Sequence, residues 1–150
     1  MKLLLSAAEA SSDSHGAELI LALKKMLPAH LECEVFGVGG PRLRAAGLNA
    51  IVRAEDLSVM GLSEVFYHLP RVLKSLRSLR QAVADKKPDL AILMDYPDFH
   101  FRLAKELKKK GIPAVYYIPP KIWVWRKNRI RFLKDHFNCK FEYNDLRSGA

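Results

Sequence analysis

The stretch Pro88-Asp89-Leu90-Ala91-Ile92-Leu93-Met94-Asp95-Tyr96-Pro97-Asp98-Phe99 decides how the chain is read. A proline opens it, and Asp89 to Met94 is then a nearly continuous apolar run, the pattern of a parallel strand covered on both faces. Two carboxylates follow. Asp98 is placed to cap the next helix by accepting its free N–H groups. Asp95, at the mouth of the buried strand, has no structural task that spacing supplies. A carboxylate in that position is partly desolvated, which raises its pKa toward the range useful to a general base.

On the C-terminal side, Phe99 to Lys110 has helical spacing that ends at Gly111, and Ala114 to Ile118 is a β-branched and aromatic strand. On the N-terminal side, Glu64 to Val83 is helical. Its Leu69, Val72, Leu73, Leu76, Leu79 and Val83 fall in one apolar stripe, with Arg71, Lys74 and Arg77 opposite. Further back, Lys2 to Ala7 is a short apolar strand and Ser14 to Met26 a helix, with Ser12 or Asp13 as its cap. Glu34 to Gly37 forms a second strand, Arg42 to Ala46 a helical turn closed by Gly47, and Ile51-Val52 a third strand. Strands that alternate with helices imply right-handed βαβ units, so the fold class is α/β: a doubly wound parallel-sheet Rossmann-like domain.

The 150 residues suffice for one domain with a core of its own, and no stretch reaches the roughly 18 apolar residues of a membrane span. The N-terminal apolar run leads into a polar loop and reads as a buried strand rather than a signal peptide. Cys33 and Cys139 stand far apart without ligand spacing, which predicts reduced thiols in a cytoplasmic protein and no metal site. A formal charge of +9 favours an anionic partner. No nucleic-acid-binding signature accompanies that charge, so no nucleic-acid partner is expected.

In a doubly wound sheet, ligands bind where the loops leave the C-terminal strand ends. The candidate site residues lie in such loops: Glu9, Ser11 and Asp13 after the first strand, Gly39 and Gly40 after the second, Asp95 and Asp98 after a later one, and Trp125 and Arg126 in the segment after Pro119-Pro120. The glycines permit close backbone approach but lack the spacing of dinucleotide or P-loop motifs. Trp123 and Trp125 are core aromatics or faces for a sugar or acyl chain. Met60, Leu62, Val65 and Phe66, beside Arg71, Lys74 and Arg77, suit either a helix buried on its own sheet or a segment that meets lipid at an anionic membrane surface.

Taken together, these loops resemble those of lipid A disaccharide synthases. The likeness runs from about Lys2 to about Leu133. It rests on Glu9-Ala10-Ser11 with Asp13 and Gly16, Gly37-Val38-Gly39-Gly40-Pro41-Arg42, Val59-Met60-Gly61-Leu62 with Glu64-Val65, Pro88-Asp89, Asp95 with Pro97-Asp98-Phe99, Arg102-Leu103-Ala104, Gly111-Ile112-Pro113, and Trp123 with Trp125-Arg126. The chain departs from the family pattern at Ala8 and Ser12, where glycines are usual, and at Pro119, where serine is usual.

The resemblance implies the N-terminal half of a GT-B glycosyltransferase, a hexosyltransferase that needs no cofactor and no metal. Its substrates would be UDP-2,3-diacylglucosamine and 2,3-diacylglucosamine 1-phosphate, joined by a β(1→6) bond with inversion. Asp95 would be the general base. Residues 1–135 are expected to form the acceptor-binding domain and 136–150 a divergent tail, with the second GT-B domain absent from this chain. A complementing C-terminal half or a homo-oligomer would then complete the cleft. The expected location is cytoplasmic, peripheral on the inner face of the inner membrane of a Gram-negative bacterium. The alternative is a noncatalytic peripheral lipid-binding module.

Overall fold

The structure, a computed structural model, describes residues 1–28, 30–58, 65–117, 135–137 and 139–141, and side chains within these except 58, 65–69 and 139–141. In chain order the elements are β1 (Lys2–Ala7), α1 (Ala10–Met26), β2 (Glu34–Gly39), α2 (Pro41–Ala45), β3 (Asn49–Arg53), α3 (Glu55–Ser58), α4 (Val65–Lys86), β4 (Leu90–Met94), α5 (Pro97–Lys109), β5 (Ala114–Tyr117) and β6 (Cys139–Phe141). The strands form one sheet in the order β3-β2-β1-β4-β5-β6, with every pair parallel. This is the Rossmann-like architecture that the alternation of elements predicts.

The apolar runs are continuous because helices cover both faces of the sheet. Along β1, Leu4 packs on one side with Phe36, Leu79, Leu93, Leu103 and Leu107. Its neighbours Leu3 and Leu5 pack on the other side with Ile20, Val35, Leu43 and Met94. Successive side chains of a strand alternate between faces, so a strand buried on both must be apolar throughout. Each fully buried leucine stabilises the fold by about 1.5–3 kcal/mol through area removed from water.

Several elements differ from the sequence reading. Helix α1 begins at Ala10, with Glu9 rather than Ser12 or Asp13 at the capping position, so the expected loop is the first helical turn. Tyr96, in left-handed backbone, occupies the capping position of α5; Pro97 follows it, and Asp98 lies in the first turn. Leu73, expected in the apolar stripe of α4, is 42% exposed, because the buried face runs through Leu76, Leu79 and Val83. Cys139–Phe141, expected to be divergent tail, pairs in parallel with β5 as the edge strand of the sheet.

Asp13 is drawn into the fold by its carboxylate. Its Oδ1 accepts from the Gly40 N–H at 2.8 Å and the Leu43 N–H at 3.1 Å, and its Oδ2 accepts from the Arg42 N–H at 3.0 Å. These are the unpaired donors at the start of α2, so a carboxylate from α1 caps α2 across space. Gly40 makes this approach possible. A Cβ there would lie 2.6 Å from Asp13 Oδ2. We expect Asp13→Ala to cost about 3 kcal/mol in urea denaturation, since buried donors lose a charged acceptor. Gly40→Ala should cost about 2 kcal/mol, and the double variant less than the sum, because the second change touches a contact already lost.

Candidate functional site

The order β3-β2-β1-β4-β5-β6 means that the chain winds outward from β1 in one direction and then, after β3, returns to continue in the other. The strands diverge at β1 and β4, and in doubly wound sheets the ligand crevice lies beyond the carboxyl ends of that pair. The residues there are Ala8 and Glu9 after β1 and Asp95 and Tyr96 after β4.

The Asp95 side chain spans this crevice. It accepts from the Ala8 N–H at 3.3 Å and from the Glu9 N–H at 3.1 Å, and the Ser12 hydroxyl donates to its Oδ2. Ala8 and Glu9 lie just before α1 and Ser12 in its first turn, and the helix dipole there also favours negative charge. Burial nevertheless prevails. Desolvation pushes the Asp95 carboxyl up to about 6, against the lowering effect of the Ser12 hydroxyl and the two backbone N–H groups, while the Glu9 charge adds a smaller upward push.

The backbone of Asp95 is held from the other side. Its carbonyl accepts from Tyr116 Oη at 2.5 Å and from His100 Nδ1 at 2.7 Å. His100 Nε2 lies 2.7 Å from Ser6 Oγ. Ser6, His100 and Tyr116 are all buried. Desolvation lowers the His100 pKa to about 4, so the ring is neutral, and burial holds the Tyr116 phenol well above its ordinary value. The sequence reading missed these three residues. A usable signal was present: His100 falls on the same helical stripe as Leu103, Ala104 and Leu107, and a polar group on a buried face must find an internal partner.

The other sequence candidates are distributed as follows. Glu9, whose N–H meets the Asp95 carboxylate, and Ser11 are exposed at the start of α1, and Asp98 is exposed on the first turn of α5. Asp13 faces α2 instead of the crevice. The space a side chain at Gly39 would need is filled by Leu43 and Leu48, and at Gly40 by Asp13, so protein contacts account for both glycines. Arg71, Lys74 and Arg77 are exposed on α4. Met60, Leu62, Trp123, Trp125 and Arg126 lie outside the described residues, and Val65 and Phe66 belong to α4 with their side chains outside them. Among the described residues no group of three His, Cys, Asp or Glu is arranged to hold a metal ion.

The two perturbed groups act on stability with opposite signs. Asp95, raised to about 6, destabilises the fold increasingly as pH climbs from the ordinary carboxylate value through 6. His100, lowered to about 4, contributes stability that is lost as pH falls from the ordinary imidazole value through 4. We therefore expect Asp95→Asn to be more stable than the parent at pH 7.5, by at most about 3 kcal/mol, and the gap to close by about pH 4. Thermal melts across that range measure it, and a ¹³C titration of the Asp95 carboxyl should show a midpoint near 6.

The family model described as Lipid-A-disaccharide synthetase matches residues 3–141. Lipid-A-disaccharide synthase of Anaeromyxobacter dehalogenans (strain 2CP-C) is 51% identical over 130 residues, covering 87% of this chain and 33% of that protein. Lipid-A-disaccharide synthase of Koribacter versatilis is 47% identical over 134 residues, covering 89% of this chain and 35% of that protein. The chain thus spans about a third of the length of the curated relatives it matches. Among solved structures, UDP-GlcNAc 2-epimerase from Neisseria meningitidis bound to UDP-GlcNAc superposes with a TM-score of 0.61 at 16% identity, over 94% of this chain and 39% of that one. A putative UDP-N-acetylglucosamine 2-epimerase from Listeria monocytogenes gives 0.62 at 14%, over 94% of this chain and 38% of that one, and both likenesses speak to the fold alone. With the family match running from β1 through β6 and relatives near half identical across the same span, the resemblance in the loops is borne out, and the chain belongs to the lipid-A-disaccharide synthetase family.

Proposed function

We propose that this chain supplies the acceptor-side half of an inverting glycosyltransferase that joins two diacylated glucosamines. The observation that carries the reading is the half-buried Asp95 carboxyl, pushed up to about 6 in the crevice between β1 and β4. Such a group is ionised at neutral pH, yet it is a stronger base than an ordinary carboxylate. The donor would be UDP-2,3-diacylglucosamine and the acceptor 2,3-diacylglucosamine 1-phosphate, whose anionic phosphate suits a chain of net charge +9.

In the reaction, Asp95 accepts the proton of the acceptor's 6-hydroxyl as that oxygen attacks the anomeric carbon. The bond from that carbon to the UDP oxygen breaks, UDP leaves with the electron pair, and attack from the opposite face inverts the centre. Glu9 and Ser11, exposed at the start of α1, would orient the acceptor. The donor's second binding wall would come from a C-terminal portion like that of the relatives, of whose length these residues span about a third. Disaccharide formation from the two substrates should appear when this chain is mixed with a separately expressed C-terminal portion of a relative. Asp95→Asn should then lower kcat by about a thousandfold, and parent activity should fall as pH drops through about 6. Retained turnover in Asp95→Asn sinks the base assignment.

The exposed Arg71, Lys74 and Arg77 on α4 favour a further part of the reading, docking on the anionic inner face of the inner membrane. Each basic side chain near such a surface contributes about 1 kcal/mol, screened by salt. Vesicles containing anionic lipid should retain the chain at low salt. Replacing all three residues by glutamate should weaken retention by about a hundredfold or more, and unchanged retention rejects this surface.

A further inference from the structure

The turn that carries Asp95 is held by groups that the proposed reaction does not itself consume. Asp95 and Tyr96 both adopt left-handed backbone, with φ of 54° and 33°. Neither is glycine, so the conformation persists only where neighbours impose it. The neighbours are explicit. A carbonyl oxygen can only accept, so the His100 nitrogen 2.7 Å from Asp95 O carries the proton, and Nε2 of the neutral ring is an acceptor. The Ser6 hydroxyl, 2.7 Å from Nε2, then donates to it. Tyr116 Oη donates to the remaining lone pair of the same carbonyl. Side chains from β1, α5 and β5 thereby converge, through one another or directly, on one backbone oxygen at the end of β4.

We propose that His100 is a positioning residue for Asp95: Ser6 anchors its ring at Nε2, Tyr116 supplies a second donor, and the His100 Nδ1–H and Tyr116 hydroxyl together clamp the Asp95 carbonyl so that the carboxylate is laid on the N-terminus of α1. The alternative arrangement shows why the tautomer matters. With the proton on Nε2, the Nδ1 lone pair would face the carbonyl oxygen and repel it. The carbonyl thus selects the Nδ1–H tautomer, and the Ser6 hydroxyl, able to donate or accept, donates to the Nε2 that this leaves unprotonated. The clamp acts on Asp95 through the main chain, so it leaves the carboxylate's own donors, Ala8, Glu9 and Ser12, in place. Its catalytic meaning rests on the reading of Asp95 as the base, while its existence does not.

Four variants of the full chain separate the two. Tyr116→Phe and Ser6→Ala each remove one oxygen from a packed site, His100→Leu removes the ring's donor, and His100→Asn keeps a donor in the place of Nδ1. Long-range ¹H–¹⁵N spectra should show the Nδ1–H tautomer in the parent and in Ser6→Ala, since the carbonyl that selects it is present in both. The ¹³C titration midpoint of the Asp95 carboxyl should fall by about one unit or more in Tyr116→Phe and His100→Leu, as the turn relaxes and the carboxylate gains water, and should stay near the parent value in His100→Asn. An Nε2–H tautomer in the parent overturns the proposal, as does an unmoved Asp95 midpoint in both Tyr116→Phe and His100→Leu. If His100→Leu does not fold, Tyr116→Phe decides alone. These readouts do not depend on turnover. Retained disaccharide formation in Asp95→Asn would remove the base assignment and leave the clamp standing, whereas a dead Asp95→Asn beside an unmoved midpoint would remove the clamp and leave the base.

Discussion

The contact between the Asp95 carboxylate and the first turn of α1 joins the two halves of the sheet at the place where they part. Strand β1 begins one half and β4 begins the other, and their paired backbones bring the loops after them to the same edge. Without a bridge, two loops that face a crevice would be free to diverge. Here a side chain from one loop accepts N–H groups from the other, so the crevice has a fixed floor before any ligand arrives. In the proposed reaction, the preorganisation that transition-state binding requires would come from donors at and just before the start of a helix.

That bridge sets up a competition whose outcome defines the site. Two backbone donors, a hydroxyl and a helix terminus all favour the ionised carboxylate. Burial opposes them and is the larger effect, which leaves the group near 6. Had the donors prevailed, Asp95 would be a weak base, well adapted as a cap and poor at accepting a proton from an alcohol. Had burial been complete and unopposed, the group would be protonated at neutral pH and useless as a base. The neighbouring His100 shifts the other way for the same reason, since desolvation disfavours whichever form is charged. The two ranges overlap, so their opposing contributions to stability largely offset one another between about pH 4 and 6.

Much of the sheet was legible in the sequence because a strand covered on both faces needs an apolar run, and Leu3 to Leu5, Val35 to Val38 and Leu90 to Met94 have few other interpretations. Asp95 was legible for a related reason: a carboxylate directly after such a run has no local partner. Asp13 was harder. Its three partners, Gly40, Arg42 and Leu43, lie about thirty residues away, and local capping rules place a carboxylate against its own helix. The same limit explains the start of α1, where four consecutive capping-type residues from Ser11 to Ser14 suggested a later boundary than Ala10. Edge strand β6 has only three residues and no periodicity to read, so its pairing with β5 is a tertiary fact.

The left-handed pair Asp95 and Tyr96 is the least expected feature on local grounds. Each residue costs about 1–2 kcal/mol in that region, although aspartate tolerates it better than most. Two donors on the Asp95 carbonyl return about 1 kcal/mol each, which nearly closes the difference. Helix α5 can then begin at Pro97, directly after the turn, and the Asp95 side chain is aimed back over β1 instead of out along β4. A glycine at position 95 would make the turn without strain but would carry no carboxylate. The site therefore keeps an aspartate in a conformation better suited to glycine, and the buried Ser6, His100 and Tyr116 are what make that arrangement stable.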